Sequence, residues 1–171
     1  MKANNIFICL HDNATIIENF VRSKFQYHKD ITFLFEEQPR GSVGCLLDNF
    51  NLIQKHSIIL FGDTYADVNL QKALEFHLNM NADLTTFAYP TDHPKDSDLL
   101  IVENTSRVVG VSKYPHKNPE RLENLANRAL FIAEKSALVD NFKPSGTVDL
   151  SKELISEAID AVRRHYEFLA F

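Results

Sequence analysis

The chain has 171 residues, 44% hydrophobic and 24% charged, which is the composition of a folded globular chain and not of a disordered one. Eighteen Lys and Arg against 23 Asp and Glu leave a formal net charge of −5, and without a basic block this excludes the nucleic-acid backbone as a partner. No apolar run approaches the roughly 18 residues of a membrane span. The short run after Asn5 is no signal peptide, and two cysteines form no disulfide framework or metal spacing, so a cytoplasmic location is expected.

In chain order, Ile6–Leu10 is a short apolar run of strand length. Asn13 can cap a helix in which Ile16 or Ile17, Phe20, Val21 and Lys24-Phe25 recur at helical spacing. Ile31–Phe35 is β-branched and aromatic, a second strand. Pro39 and Gly41 mark a loop, after which Ser42 can cap a helix running through Cys45 to about Leu52. Ser57–Phe61 reads as the third strand. Asp67 is placed to cap a helix with Leu70, Ala73, Leu74, His77 and Leu78 on one face, and Leu84–Tyr89 reads as the fourth strand. Leu99–Glu103 and Arg107–Lys113 flank Asn104-Thr105-Ser106 as an antiparallel hairpin, Leu130–Ile132 is a short strand, and Asp149 begins a last helix. The alternation predicts one α/β domain over residues 1–171, Rossmann-like, with a mostly parallel sheet, helices on both faces and an antiparallel hairpin.

Ligands of open α/β sheets bind at the carboxyl ends of strands. Two features fall there. The loop Glu37–Gly44 joins a strand to a helix, so free backbone N–H groups can meet a ligand, and Gly41 permits close approach. Gly62-Asp63 leaves the third strand, where a carboxylate can hold Mg²⁺ together with phosphate oxygens and water. On residue chemistry alone, both features also read as turns, with Ser42 and Asp67 as helix caps. His93 and Asp96 have metal-ligand chemistry but no partner His or Cys, which argues against zinc. Cys45, beside Leu46 and Leu47, reads as a buried thiol, and His11-Asp12 as a polar strand end.

Together, Glu36-x-x-Pro39-Arg40-Gly41-Ser42-Val43-Gly44, the strand ending Gly62-Asp63, Asp67-x-x-Leu70…His77 and the Thr85-Thr86 strand resemble the sugar-phosphate nucleotidyltransferases. His93-Pro94-x-Asp96-Ser97-Asp98-Leu99, Arg107-Val108 and Pro115-His116 are similar to the branch that guanylylates D-glycero-D-manno-heptose 1-phosphate. The resemblance covers nearly the whole chain. It implies a nucleoside triphosphate and a sugar 1-phosphate as partners and Mg²⁺ as cofactor. It also implies Asp63 as catalytic residue and metal ligand, Gln38, Gly41, Ser42 and Gly62 at the nucleotide, and Asp98 and Asn127 at the sugar.

The chain departs from the family pattern in several places. The glycine-rich signature segment and its following Pro-Lys are not found. The later segment with a second metal-binding aspartate is also not found. The Glu-Lys-Pro sugar motif reads Lys113-Tyr114-Pro115, and Ala129 stands where the family has Gly. Two functions are therefore carried forward: a truncated nucleotidyltransferase domain, and a non-catalytic binding or assembly module with the same fold. The resemblance further implies a strand slot between Ile6–Leu10 and Ser57–Phe61. Direct pairing of these two strands is the first expectation for closing it, ahead of self-association and of a strand from a separate polypeptide.

Overall fold

In the computed structural model, which describes residues 5–25, 30–117, 122–141 and 168–170, the strands sort into two sheets. The smaller is a parallel pair, β1 (Ile6–Leu10) and β2 (Ile31–Phe35), in register from Ile6 opposite Ile31 to Leu10 opposite Phe35. Helix α1 (Ala14–Lys24) connects them. Its last turn carries Arg22 and Lys24, favourable charges at the negative end of the helix dipole, and Arg22 pairs with Glu18 at 2.7 Å. None of its residues is buried, and Phe20 and Ile16 are 58% and 70% exposed.

The larger sheet is built on β7 (Leu125–Glu134). Along one edge it pairs antiparallel with β4 (Leu84–Pro90), which in turn pairs parallel with β8 (Phe168–Ala170). Its other edge is shared. β3 (His56–Leu60) takes residues 130–134, and β5 (Leu99–Val102) joins at Ala126. β5 continues as an antiparallel hairpin with β6 (Val108–Ser112), as its Asn-Thr-Ser turn predicted.

Three further helices complete the described residues. They are α2 (Gly44–Asp48), α3 (Leu70–Asn79) and α4 (Lys135–Asn141). Val43, Leu84, Leu100, Val108, Phe131 and Leu138 form one buried cluster of the core, with Leu46, Leu47 and Phe61 packed on it. Ala73, Phe87, Leu130 and Ile132 form a second cluster under α3.

The α/β class holds, with parallel pairing at β1–β2 and β4–β8 and antiparallel pairing elsewhere. β3 and β4 do run in the same direction, but β7 lies between them. The segment read as a three-residue strand at Leu130 is thus the ten-residue centre of the sheet. Its polar Asn127 and Arg128 hide the continuation.

Several local expectations are corrected. Asn13 occupies the N-cap of α1 in a left-handed conformation but its side chain makes no capping bond. Val43, not Ser42, precedes α2, and that helix stops at Asp48, followed by a 3-10 turn over Phe50–Leu52. Asn69, not Asp67, caps α3: its side-chain oxygen accepts from Lys72 N at 3.0 Å. The helix expected from Asp149 lies outside the described residues.

Direct closure of β1 onto β3 is also overturned. Among the described residues β1 pairs with β2 alone and β3 with β7 alone, so the two belong to different sheets. The reason is local. The crossover through α1 gives β1 its partner, while Val43, Leu46 and Leu47 seat the intervening segment on the larger sheet.

Candidate active site

The shared edge of β7 creates a notch. β3 leaves that edge after Leu60, opposite Leu130, and β5 arrives with Leu99 opposite Ala126. Residues 127–129 lie between. Gly62 and Asp63 leave the sheet on one side of this notch, and both are exposed. Asp98 enters on the other side, directly before β5. Extending the antiparallel register by one residue sets Asp98 opposite Asn127. A Cβ on Gly62 would meet nothing within 4 Å, so this glycine leaves open space, not a tight turn.

The base of the notch is a bulge. Thr86 pairs with Phe131, but two residues later Ala88 pairs with Asn127, so β7 carries the surplus residues. Ala129 sits there at φ 52°, in the left-handed region that favours glycine. Its carbonyl accepts from Phe61 N at 3.2 Å, which ties the exit of β3 to the bulge.

Asn127 is fixed in orientation by the same bulge. Its Oδ1 accepts from Thr86 Oγ1 and from Ala129 N, each at 2.9 Å. With the oxygen engaged twice, the amide nitrogen is the function left over. Nδ2 is buried and has no hydrogen-bond partner among the described residues. A buried amide without a partner costs about 1–3 kcal/mol, which a ligand oxygen would recover. Thr86 thus holds the Asn127 amide in place; the Thr85-Thr86 strand entered the sequence reading as part of the family resemblance, without a site role.

Asp98 has a different occupation. Its Oδ1 accepts from Tyr114 N at 3.1 Å, which ties the residue before β5 to the segment after β6. His116 stitches the same region, with Nδ1 at 2.9 Å from Ser112 Oγ and Nε2 at 2.8 Å from the Pro94 carbonyl.

The second loop follows β2. Gln38, Gly41 and Ser42 are exposed, and Gly41 has φ 86°, a conformation that side-chain-bearing residues resist. Gly44 is the tight position. A Cβ there would fall 2.3 Å from Arg40 Cβ and 2.9 Å from Glu36 Oε1. Arg40 pairs with Asp48, fastening the loop to the far end of α2. Val43, next to Ser42, and Phe61, next to Gly62, pack in one cluster, so a single piece of core supports the roots of both loops.

Asp63 fits Mg²⁺ as a partial ligand. Among the described residues no group of three or more His, Cys, Asp or Glu converges on one point. Mg²⁺ accepts one or two carboxylates when phosphate oxygens and water complete its shell, and a single exposed carboxylate at a strand end meets that need.

A family model for nucleotidyl transferases matches residues 1–170. The chain belongs to the nucleotidyl transferase family. Among its curated relatives, a putative mannose-1-phosphate guanyltransferase of Sulfolobus acidocaldarius is 27% identical over 138 residues, covering 79% of this chain and 37% of that protein. The D-glycero-alpha-D-manno-heptose 1-phosphate guanylyltransferase of Aneurinibacillus thermoaerophilus is 26% identical over 114 residues, covering 64% and 49%. The chain thus spans between a third and a half of the length of these relatives. The crystal structure of HddC from Yersinia pseudotuberculosis shares the fold, with a TM-score of 0.75 at 20% identity over 99% of this chain and 69% of that one. The same protein has also been solved in complex with GMP-PN. No helix among the described residues is long and apolar enough to cross a membrane.

Proposed function

We propose that this domain serves nucleotide-sugar synthesis, transferring GMP from GTP to a sugar 1-phosphate, with a heptose 1-phosphate as the substrate. The observation that supports the reading is that β3, which leads into Gly62-Asp63, and β5, which Asp98 precedes, pair with one edge of β7 on either side of residues 127–129, in a chain of this family. Guanylyl transfer is favoured because two relatives are named for it and HddC has been solved with GMP-PN.

In the proposed reaction an oxygen of the sugar phosphate attacks the α-phosphorus of GTP in line. The bond to the β-phosphate breaks and pyrophosphate leaves with its electron pair. The chain's work is positioning and charge control. Gln38, Gly41 and Ser42 receive base and ribose, Gly62 gives the phosphates room, and Asn127 Nδ2 donates to a sugar oxygen, with Asp98 across the notch. Asp63 would hold Mg²⁺, which when bound offsets phosphate charge.

Incubating the chain with Mg²⁺, GTP and heptose 1-phosphate tests this. Nucleotide sugar and pyrophosphate should form in equal amounts, and Asp63→Asn should lower the rate by about 100-fold or more. A second reading, a non-catalytic module with the same fold, is favoured by Lys113-Tyr114-Pro115, where the sugar-motif Glu is absent. GTP binding without any product would select it. We further propose that a second copy of the chain, or a complementary one, covers the edges of β1 and β3 that have no partner among the described residues.

A further inference from the structure

Arg22 and Arg40 each meet a carboxylate, Glu18 and Asp48. Arg128 meets none among the described residues, and no hydrogen bond of its side chain is found there either. Its side chain is half-buried, with the guanidinium carbon 4.7 Å from the centroid of the Tyr89 ring. Tyr89, also half-buried, lies at the carboxyl end of β4 and pairs with Ala126. An aromatic face attracts a cation but brings no anionic charge. The contact therefore places the guanidinium without neutralising it, in a chain whose net charge is −5.

The backbone sets Arg128 beside the exit of β3. Leu60 pairs with Leu130, and Phe61 N donates to the Ala129 carbonyl at 3.2 Å. Arg128 and Gly62 are each one residue beyond that bond, on the two strands that part there. Gly62 is exposed, and a Cβ on it would meet nothing within 4 Å. Asp63, assigned above to Mg²⁺, comes next. An unneutralised cation thus stands at a gap in the sheet edge that no side chain of Gly62 fills.

We propose that Arg128 binds the phosphate of the sugar 1-phosphate, held in position by Tyr89; this rests on the function proposed above. A guanidinium grips a phosphate through two parallel N–H···O bonds, and partial burial strengthens them. Two of the three terminal oxygens are then engaged, and the third is left to attack the α-phosphorus of GTP. The division of charge is also favourable. Mg²⁺ on Asp63 offsets the triphosphate, and Arg128 offsets the second anion, which the Asp63 carboxylate alone would repel. Arg128 directly follows Asn127, whose amide is assigned to a sugar oxygen. Successive strand residues face opposite sides of a sheet, so the two grip a ligand seated across the edge that β3 vacates.

Nuclear magnetic resonance of the full chain titrated with inorganic phosphate tests the anion site directly. The Arg128 Nε–H signal and the Tyr89 ring signals should shift together and saturate. In calorimetry, Arg128→Gln should weaken heptose 1-phosphate binding about tenfold or more, as expected for a lost charged hydrogen-bond pair. Arg128→Lys should recover part of the loss, and binding of GTP with Mg²⁺ should be unchanged in both. Tyr89→Phe should match the parent chain, whereas Tyr89→Leu should lose part of the affinity for heptose 1-phosphate alone. Arg128 signals indifferent to phosphate would overturn the proposal. So would an Arg128→Gln chain that binds heptose 1-phosphate within twofold of the parent, or that loses GTP equally. Product formed by Arg128→Gln with the parent's kcat and KM would overturn the proposal and leave the proposed reaction standing. A phosphate-dependent shift at Arg128 in a chain that forms no product would contradict the reaction and support the anion site.

Discussion

His77 is fully buried on α3, between Thr85 Oγ1 at 2.9 Å from Nδ1 and His56 Nδ1 at 3.2 Å from Nε2. Burial, then the neighbouring His56, lower its pKa to about 4. The folded chain therefore keeps it neutral where the unfolded chain, near 6.5, takes up a proton. Stability should be full above pH 6.5 and decline as pH falls from 6.5 through 4, by up to roughly 3 kcal/mol. Urea unfolding at pH 7.5, 5.5 and 4 checks this. His77→Gln should flatten the profile, and parallel profiles would refute the assignment. At the notch, Asn127→Ala should weaken heptose 1-phosphate binding about tenfold, near the value of one hydrogen bond, and leave GTP binding unchanged. Thr86→Val should reproduce part of that loss by freeing the amide to rotate, and Thr86→Ser should restore it; titration of each ligand separates the cases.

Among the elements, the β7 bulge carries the clearest stability expectation. Ala129 holds φ 52° without being glycine, and a side chain there costs about 1 kcal/mol. Ala129→Gly should raise stability by roughly 0.5 kcal/mol or more after the greater backbone freedom of glycine in the unfolded chain is subtracted. Chemical denaturation at pH 7.5 measures it. The same strand marks what the sequence could reveal. Short apolar runs gave β1, β2, β3, β4 and the hairpin within a residue or two, because their periodicity is local. Pairing partners were not legible, since a strand that enters between two others by a long excursion leaves no local trace. Ser42 and Asp67 were assigned as caps because cap chemistry is shared by neighbouring Asn, Ser and Asp side chains; backbone geometry chose Asn69 instead. Gly62-Asp63 stood out as a strand end and Asp98 came only with the family resemblance; that their strands share one edge of β7 was not legible, because the sequence did not expose the length of β7.

At the scale of the whole molecule, two strand edges are left without a partner among the described residues. Among the described residues β1 and β3 each use one edge, and Ile6, Phe35 and Leu60 are 41%, 55% and 52% exposed. Two strands alone make a marginal sheet, and open apolar edges recruit further strands. Light scattering from micromolar to hundred-micromolar chain should show concentration-dependent association, and Leu60→Lys should shift it toward monomer. A monomer throughout, unchanged by that substitution, would leave the edges to a different polypeptide. The central claim is that the loop after β2 and the notch beside it take a nucleotide. Calorimetric titration of Mg²⁺ and GTP into the chain and into Gly41→Val tests it most directly. The chain should bind at millimolar nucleotide or tighter, and Gly41→Val, which closes the loop while circular dichroism shows the fold intact, should lose at least tenfold in affinity. Equal binding by the two proteins, or binding by neither, would contradict it.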